Sequence, residues 1–246
     1  MTLLCRQYPD IQFFGSRKRP YAEFKVANEK IAIIGCLERC RSRGSELFPE
    51  EEVLSLLLKI RANYSLVYIY PHWGKESEYT RLPSPRQIHL AHIWIEAGAD
   101  GIWGHHSHLF QGREIYKGKP IYYSLGNFFF PHQEGDLYEG TNIGLSVEVE
   151  SNQCTEYFHS FDRRNIRKAD DRANENLLNL ISQKLVSLTY WQWAKTIGPF
   201  YFKKNFASWK IRFHKKPLKT LCLYMIWNLR PLNLFLRYAS FFQEGK

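Results

Sequence analysis

The chain has 246 residues, enough to bury a full core as one large α/β domain or as one domain with an appendage, and its 44% hydrophobic share suits a globular protein. Five cysteines (Cys5, Cys36, Cys40, Cys154 and Cys222) are too few and too scattered for a disulfide framework, and Cys36 with Cys40 lacks the second pair that a zinc site needs. The net charge of +10 is uneven: residues 1–162 hold 17 Lys and Arg against 20 Asp and Glu, residues 163–246 hold 17 against 4, so the basic character belongs to the C-terminal region and predicts an anionic contact there. The first twenty residues reach Arg6 and Asp10 before any apolar h-region forms, which predicts no signal peptide. No stretch reaches the roughly 20 apolar residues that span a bilayer.

In chain order, the run 31–36 (Ile-Ala-Ile-Ile-Gly-Cys) predicts a buried strand. Residues 49–62 open with Pro49 and three glutamates, continue through Val53, Leu54, Leu56, Leu57, Leu58 and Ile60, and carry Lys59 and Arg61 at the far end, as a helix and its dipole require. A second apolar strand, 66–70, runs into Pro71-His72-Trp73-Gly74. Residues 84–98 predict a second helix, with Ser84-Pro85 as cap and first-turn proline and Gly98 as its end. A short strand, 101–103, runs into Gly104-His105-His106-Ser107-His108. After a turn at 117–120 comes a strand at 121–125, and the alternation of Ile143, Leu145, Val147 and Val149 predicts a half-exposed strand. Strands alternating with helices imply an α/β sheet that presents ligands at the C-terminal ends of its strands. From about Asp162 the character changes: 165–189 reads as a polar helix, aromatic-basic stretches follow, and 218–242 is apolar but broken by Asn228, Arg230, Pro231 and Arg237. This divides the chain into 1–162 and a basic, aromatic-rich helical region, 163–246.

Seven of the nine histidines lie between His72 and His132. Neutral imidazole suits Zn, Fe and Mn, and His106-x-His108 places two side chains on one side of an extended loop. With His72 after the neighbouring strand, three nitrogen donors are expected to meet as a metal site. His89 and His92 read as surface or packing residues on the second helix, and His132, His159 and His214 likewise carry no chemistry in this reading.

The segments Tyr70-Pro71-His72-Trp73-Gly74-Lys75-Glu76, Ala97-Gly98-Ala99-Asp100, Gly104-His105-His106-Ser107-His108, Gln111-Gly112 and Tyr123-Ser124-Leu125-Gly126-Asn127-Phe128 occur in the order seen in the bacterial capsule-synthesis CapA family, the poly-γ-glutamate biosynthesis group. The chain resembles that family over residues 11–150, most densely from 66 to 130. The resemblance implies the C-terminal portion of a calcineurin-like metallophosphoesterase α/β/β/α sandwich. It also implies a divalent transition metal (Mn, Fe or Zn) held by His72, His106 and His108, with His105 as the catalytic candidate. The doubled histidine leaves open whether His105 or His106 faces the metal. Glu76 and Asn127 are the substrate-binding candidates, with a solvated loop carboxylate and a structural turn amide as their alternatives. Trp73 is expected to pack beside the site.

The family's Gly-Asp, Asn-Leu-Glu and Asn-Asn-His motifs have no counterpart upstream of His72, which implies either a truncated or split gene product or a degenerate member that keeps the C-terminal half of the domain, with a mononuclear site as the alternative to the family's dinuclear centre. An upstream fragment or a partner is then expected to complete the sheet. The expected function is capsule or other envelope-polymer biosynthesis with metal-assisted hydrolase or transferase chemistry. The alternative is a non-catalytic accessory protein that binds a polymer or membrane surface. The expected partners are an anionic polymer or phosphorylated substrate; the aromatic-basic tail, 190–246, reads either as helices that cover the exposed face of the sheet or as an interfacial pair on a membrane surface, and no nucleic-acid module is present. The family resemblance points to the cell envelope.

Overall fold

The computed structural model describes residues 12–38, 46–130, 139–150, 153–162 and 164–197. Two sheets organise the compact unit that runs to Leu188; a second unit comprises Thr189–Lys246. The larger sheet has six strands: β1 (Tyr21–Val26), β2 (Glu29–Leu37), β3 (Leu66–His72), β4 (Gly101–Trp103), β5 (Arg113–Tyr116) and β6 (Lys119–Tyr122), in the order β1-β2-β3-β4-β6-β5. The four central strands are parallel, and the hairpins β1–β2 and β5–β6 make both outer pairings antiparallel. A smaller antiparallel sheet holds β7 (Ile143–Glu150), β8 (Gln153–Phe161) and β9 (Ile166–Lys168).

Parallel strands covered by helices must be apolar almost throughout. Ala32, Ile34, Val67, Ile69, Ile102 and Ile121 are all fully buried at the sheet centre. Helix α1 (Val53–Ile60) adds Val53, Leu57 and Ile60, and α2 (Pro85–Glu96) adds Ala91, Trp94 and Ile95 to the same core. A second core joins β6 to the small sheet and to α3 (Asp171–Leu185) through Phe110, Tyr122, Leu145, Phe158, Leu178 and Ile181.

The expected strands at 31–36, 66–70, 101–103 and 143–150 and the first two helices are present, whereas the strand expected at 121–125 after a turn at 117–120 is Lys119–Tyr122, because the hairpin turn closes on Lys117 and Gly118 alone. The strands β5, β8 and β9 have no counterpart among the expected elements. These edge and hairpin strands carry exposed polar residues at many positions, so no sustained apolar run marks them. The helix expected at 165–189 is shorter: β9 takes Ile166–Lys168 and α3 begins after Asp170, whose carboxylate accepts from the Ala173 amide at 3.1 Å. The expected tail beyond 197, with the 218–242 apolar segment, His132 and His214, lies outside the described residues.

The termini of α2 fix the loops on either side of it. Ser84 Oγ accepts from the Gln87 amide while the Gln87 side chain accepts from the Ser84 amide at 2.8 Å, a reciprocal capping box. At the other end the Gly98 amide reaches the Ile95 carbonyl and the Ala99 amide the Trp94 carbonyl, both at 3.0 Å, which is the Schellman pattern. Asp100 then anchors the chain to β3: one oxygen accepts from the Val67 amide at 2.8 Å, and Lys119 pairs with the other at 2.8 Å.

Candidate metal centre

The parallel register of β2, β3 and β4 brings three strand ends into line. Leu37 lies opposite His72, and beyond β4 His105 forms a parallel bridge with His72. The bridge is closed by the His105 amide on the Pro71 carbonyl at 2.9 Å and the Trp73 amide on the His105 carbonyl at 3.1 Å. Both histidine motifs therefore sit at the C-terminal edge of the sheet, where open α/β sheets place ligands.

Two glycines make the approach possible. A Cβ on Gly104 would stand 2.1 Å from the Tyr123 carbonyl oxygen and 2.4 Å from the Trp73 indole nitrogen. That nitrogen donates to the same carbonyl at 2.9 Å. Gly74 is left-handed (φ 81°), and a Cβ there would collide with the Gln87 amide at 2.5 Å. Trp73, 1% exposed, stacks on Trp94 and Tyr123 with centroids 5.4 and 6.2 Å away. It packs beneath the site, as expected.

Above this base the His72 and His106 rings meet, with His72 Nε2 and His106 Nδ1 2.9 Å apart. The backbone is strained to achieve this. His106 has φ 109° and His108 φ 63°, and Tyr79, whose amide donates to the Ser107 carbonyl at 2.8 Å, has φ 59°. Non-glycine residues in such regions cost about 1–3 kcal/mol each and persist only where the surroundings over-determine them. Here the buried Ser107 supplies the constraint: its hydroxyl donates to the Leu109 carbonyl and accepts from the Leu109 amide.

Burial pushes the His72 imidazole below its ordinary value, with His108 adding to the effect, and it does the same to His106, with His72 adding. Both rings are thus held in the neutral form that ligates a metal. His106 Nε2 is also buried without a hydrogen-bond partner.

His108 faces elsewhere. Its Nδ1 lies 2.9 Å from Asn127 Oδ1, and the Asn127 amide nitrogen donates to the Thr141 carbonyl at 3.0 Å. That second bond fixes the orientation of the Asn127 amide, so its oxygen must accept from a protonated His108 Nδ1. His108 Nε2 points to Glu78, 3.9 Å from its Oε1. Second-sphere bonds of this kind set tautomer and ring direction in metal-ligating histidines. Tyr79 stacks on the His108 ring at 4.9 Å with a 13° interplanar angle.

His105 is set deeper. Its ring lies against Tyr70 at 4.6 Å, and burial, followed by the neighbouring His72, pushes it down to about 4. It is neutral at physiological pH, with Nε2 buried and unpartnered. The side chain of Glu76 lies outside the described residues. The structure thus joins His72 to His106 and His108 to Asn127. Among the described residues, no group of three or more His, Cys, Asp or Glu side chains is gathered to hold one ion.

Two carboxylates were missed in the sequence. Glu78 faces His108, and Glu38, at the end of β2, accepts from the amides of Gly74 and Lys75 at 2.7 and 2.9 Å. An acid directly after an apolar strand parallel to the one that ends in His72 was the available signal for Glu38. The bland reading holds for His92, which stacks on Tyr116 at 3.7 Å and contacts Glu114 at 2.6 Å, and for the buried His159, 3.1 Å from the Phe128 carbonyl.

A divalent metal is what the resemblance implies here, and the donor chemistry of the His72–His106 pair fits one. Two neutral imidazoles face each other with nitrogens 2.9 Å apart, beside a buried imidazole nitrogen that has no partner.

Residues 14–132 match the family described as bacterial capsule synthesis protein PGA_cap. Over that stretch, and with the relatives that follow, the chain is similar to the CapA family. It is 50% identical over 70 residues to the capsule biosynthesis protein CapA of Bacillus anthracis, covering 28% of this chain and 16% of that protein. It is 40% identical over 80 residues to the PGA biosynthesis protein CapA of Bacillus subtilis (strain 168), covering 32% and 20%. A probable polyglutamine synthesis accessory protein of Mycobacterium tuberculosis is 33% identical over 90 residues, covering 37% and 22%. The matched stretches thus span about a fifth of the length of these relatives. Among solved structures, a putative 5'-nucleotidase from Staphylococcus aureus overlaps 67% of this chain and 34% of its own, with TM-score 0.36 and 12% identity. A 5'-nucleotidase precursor from Thermus thermophilus overlaps 69% and 35%, with TM-score 0.34 and 16% identity.

Proposed function

We propose that the chain serves capsule or poly-γ-glutamate-type polymer biosynthesis through a cation site built on His72 and His106. The observation that carries this reading is the strained backbone at His106, which brings its ring to His72 at the ends of adjacent parallel strands. The 2.9 Å approach is that of an N–H···N hydrogen bond between the two rings, and a cation would take the place of the shared proton between the same nitrogens. A divalent cation there would supply Lewis-acid polarisation of a phosphoryl or amide-type oxygen and an activated water.

The protein's own contribution is positional. The Trp73–Tyr123 base fixes the two loops, and the Asn127 amide fixes the direction of the His108 ring through Nδ1. His105, held neutral near pH 7 by burial, would offer one N–H and one lone pair but no imidazolium proton. The proposed metal is Mn, Fe or Zn, and the proposed substrate is an anionic polymer or a phosphorylated precursor. A partner that supplies further donors is part of the same proposal, as is a membrane surface met by residues 190–246.

The second reading, a non-catalytic accessory protein, is favoured by the absence of three gathered donors among the described residues. Metal content by inductively coupled plasma mass spectrometry, measured on dialysed protein beside a His72→Ala/His106→Ala double variant, separates the two. About one equivalent of metal, lost in the double variant, supports the cation site. Folded wild-type protein with no metal supports the accessory role.

A further inference from the structure

His72 itself is solvent-accessible, and Cα–Cβ rotation alone would let its ring leave His106. What directs it is the backbone turn that follows, and that turn is held from below by one residue. The Glu38 amide donates to the His72 carbonyl at 3.0 Å, while Glu38 Oε2 accepts from the Gly74 and Lys75 amides at 2.7 and 2.9 Å. Backbone and side chain of Glu38 thus bracket the segment His72–Lys75 from both ends.

The bracket is buried and supported. The Glu38 side chain is 5% exposed, and Arg86 of α2 reaches its other oxygen at 3.4 Å while also pairing with the buried Glu50. Burying two carboxylates on one guanidinium is costly when packing is the only return. Glu38 offers two returns. Its oxygen satisfies two amides of a turn that has no other described acceptor for them, and it places negative charge beside the imidazole pair. Its charge acts on both His72 and His106, opposing the effect of burial on each.

We propose that Glu38 is a positioning residue for the cation site, clamping the turn that carries His72 so that His72 Nε2 stays opposed to His106. This rests on the cation-site reading above for its purpose, but not for its geometry.

The experiment compares the full-length protein with Glu38→Asp and Glu38→Gln. Aspartate keeps the charge but withdraws the oxygen by one methylene; glutamine keeps the reach and an oxygen able to accept both amides. In metal-free protein, long-range proton–nitrogen spectra of the imidazoles should show the His72 signals displaced in Glu38→Asp and close to wild type in Glu38→Gln. Cobalt(II) titration, read by its visible absorption, should show affinity about tenfold weaker in Glu38→Asp, with partial recovery in Glu38→Gln. A residue that merely stabilises the fold would lower the melting temperature without moving either signal. Wild-type His72 spectra in Glu38→Asp would overturn the proposal. If wild-type protein takes up no cobalt, the cation-site reading falls, and the metal-free spectra still decide the role of Glu38.

Discussion

Single residues in this site are defined by their depth. His105 and His106 are neighbours in the chain, yet one lies against Tyr70 and beneath the strand bridge while the other turns to His72 through a backbone that only strain permits. Depth sets the acid response. His105 titrates at about 4 in the folded chain against about 6.5 unfolded, so the unfolded chain binds the proton first as pH falls. Its contribution to stability is complete above about pH 6.5 and is lost as pH falls through about 4. Urea melts at about pH 7, 5.5 and 4.5 should show this loss, and His105→Gln should show a shallower decline over the same window. Parallel declines in the two proteins would mean that His105 is not titrating as a buried neutral ring. Of the site residues, His72, His106 and His108 were legible in the sequence as histidines after strands. The partition of the doubled histidine was not, because it depends on which side of the bridge each ring takes. The Asn127–His108 bond was equally hidden, since it requires the turn after β6 to fold back over the loop after β4.

At the scale of elements, α2 is the best-marked segment of the chain, because capping, first-turn proline and terminating glycine all agree. The reciprocal Ser84–Gln87 bonds are buried, with both residues 1% exposed. Ser84→Ala is expected to cost about 1 kcal/mol, a fall of roughly 3 °C in melting temperature for a unit of this size, as read by calorimetry. An unchanged melting temperature would mean that the cap is replaced by solvent. The same helix delivers Gln87 against Gly74 and Arg86 against Glu38, so the cap also fixes the support beneath the His72 turn. The central strands and first two helices were legible for the same physical reason: a parallel strand buried on both faces must be apolar along its length, and its neighbouring helix must carry an apolar stripe. The strands β5, β8 and β9 were not, because an edge or half-exposed strand needs only alternate apolar residues and tolerates charge on the rest.

For the whole molecule the controlling fact is charge distribution. The first 162 residues are weakly acidic and the remainder carries a strong positive excess. No helix among the described residues is long and apolar enough to cross a membrane. If the basic region engages an anionic polymer, co-sedimentation with poly-γ-glutamate or anionic vesicles should weaken several-fold between low and physiological salt, as screening by counterions requires. A protein lacking residues 190–246 should bind less than the full chain. Binding that ignores both salt and the deletion would place the contact elsewhere.

By itself the sequence determined the α/β class, the order of the buried strands, the caps of α2 and the pair of histidine motifs at strand ends, since each of these follows from local periodicity, capping chemistry or residue type. Only the tertiary structure decided which histidines meet, which nitrogen of His108 faces Asn127, and that Glu38 and Glu78 face the site. Those outcomes depend on strand register and on backbone conformations at His106, His108 and Tyr79 that no local preference would select, and which exist here because the parallel sheet and the buried Ser107 leave the loops no other path.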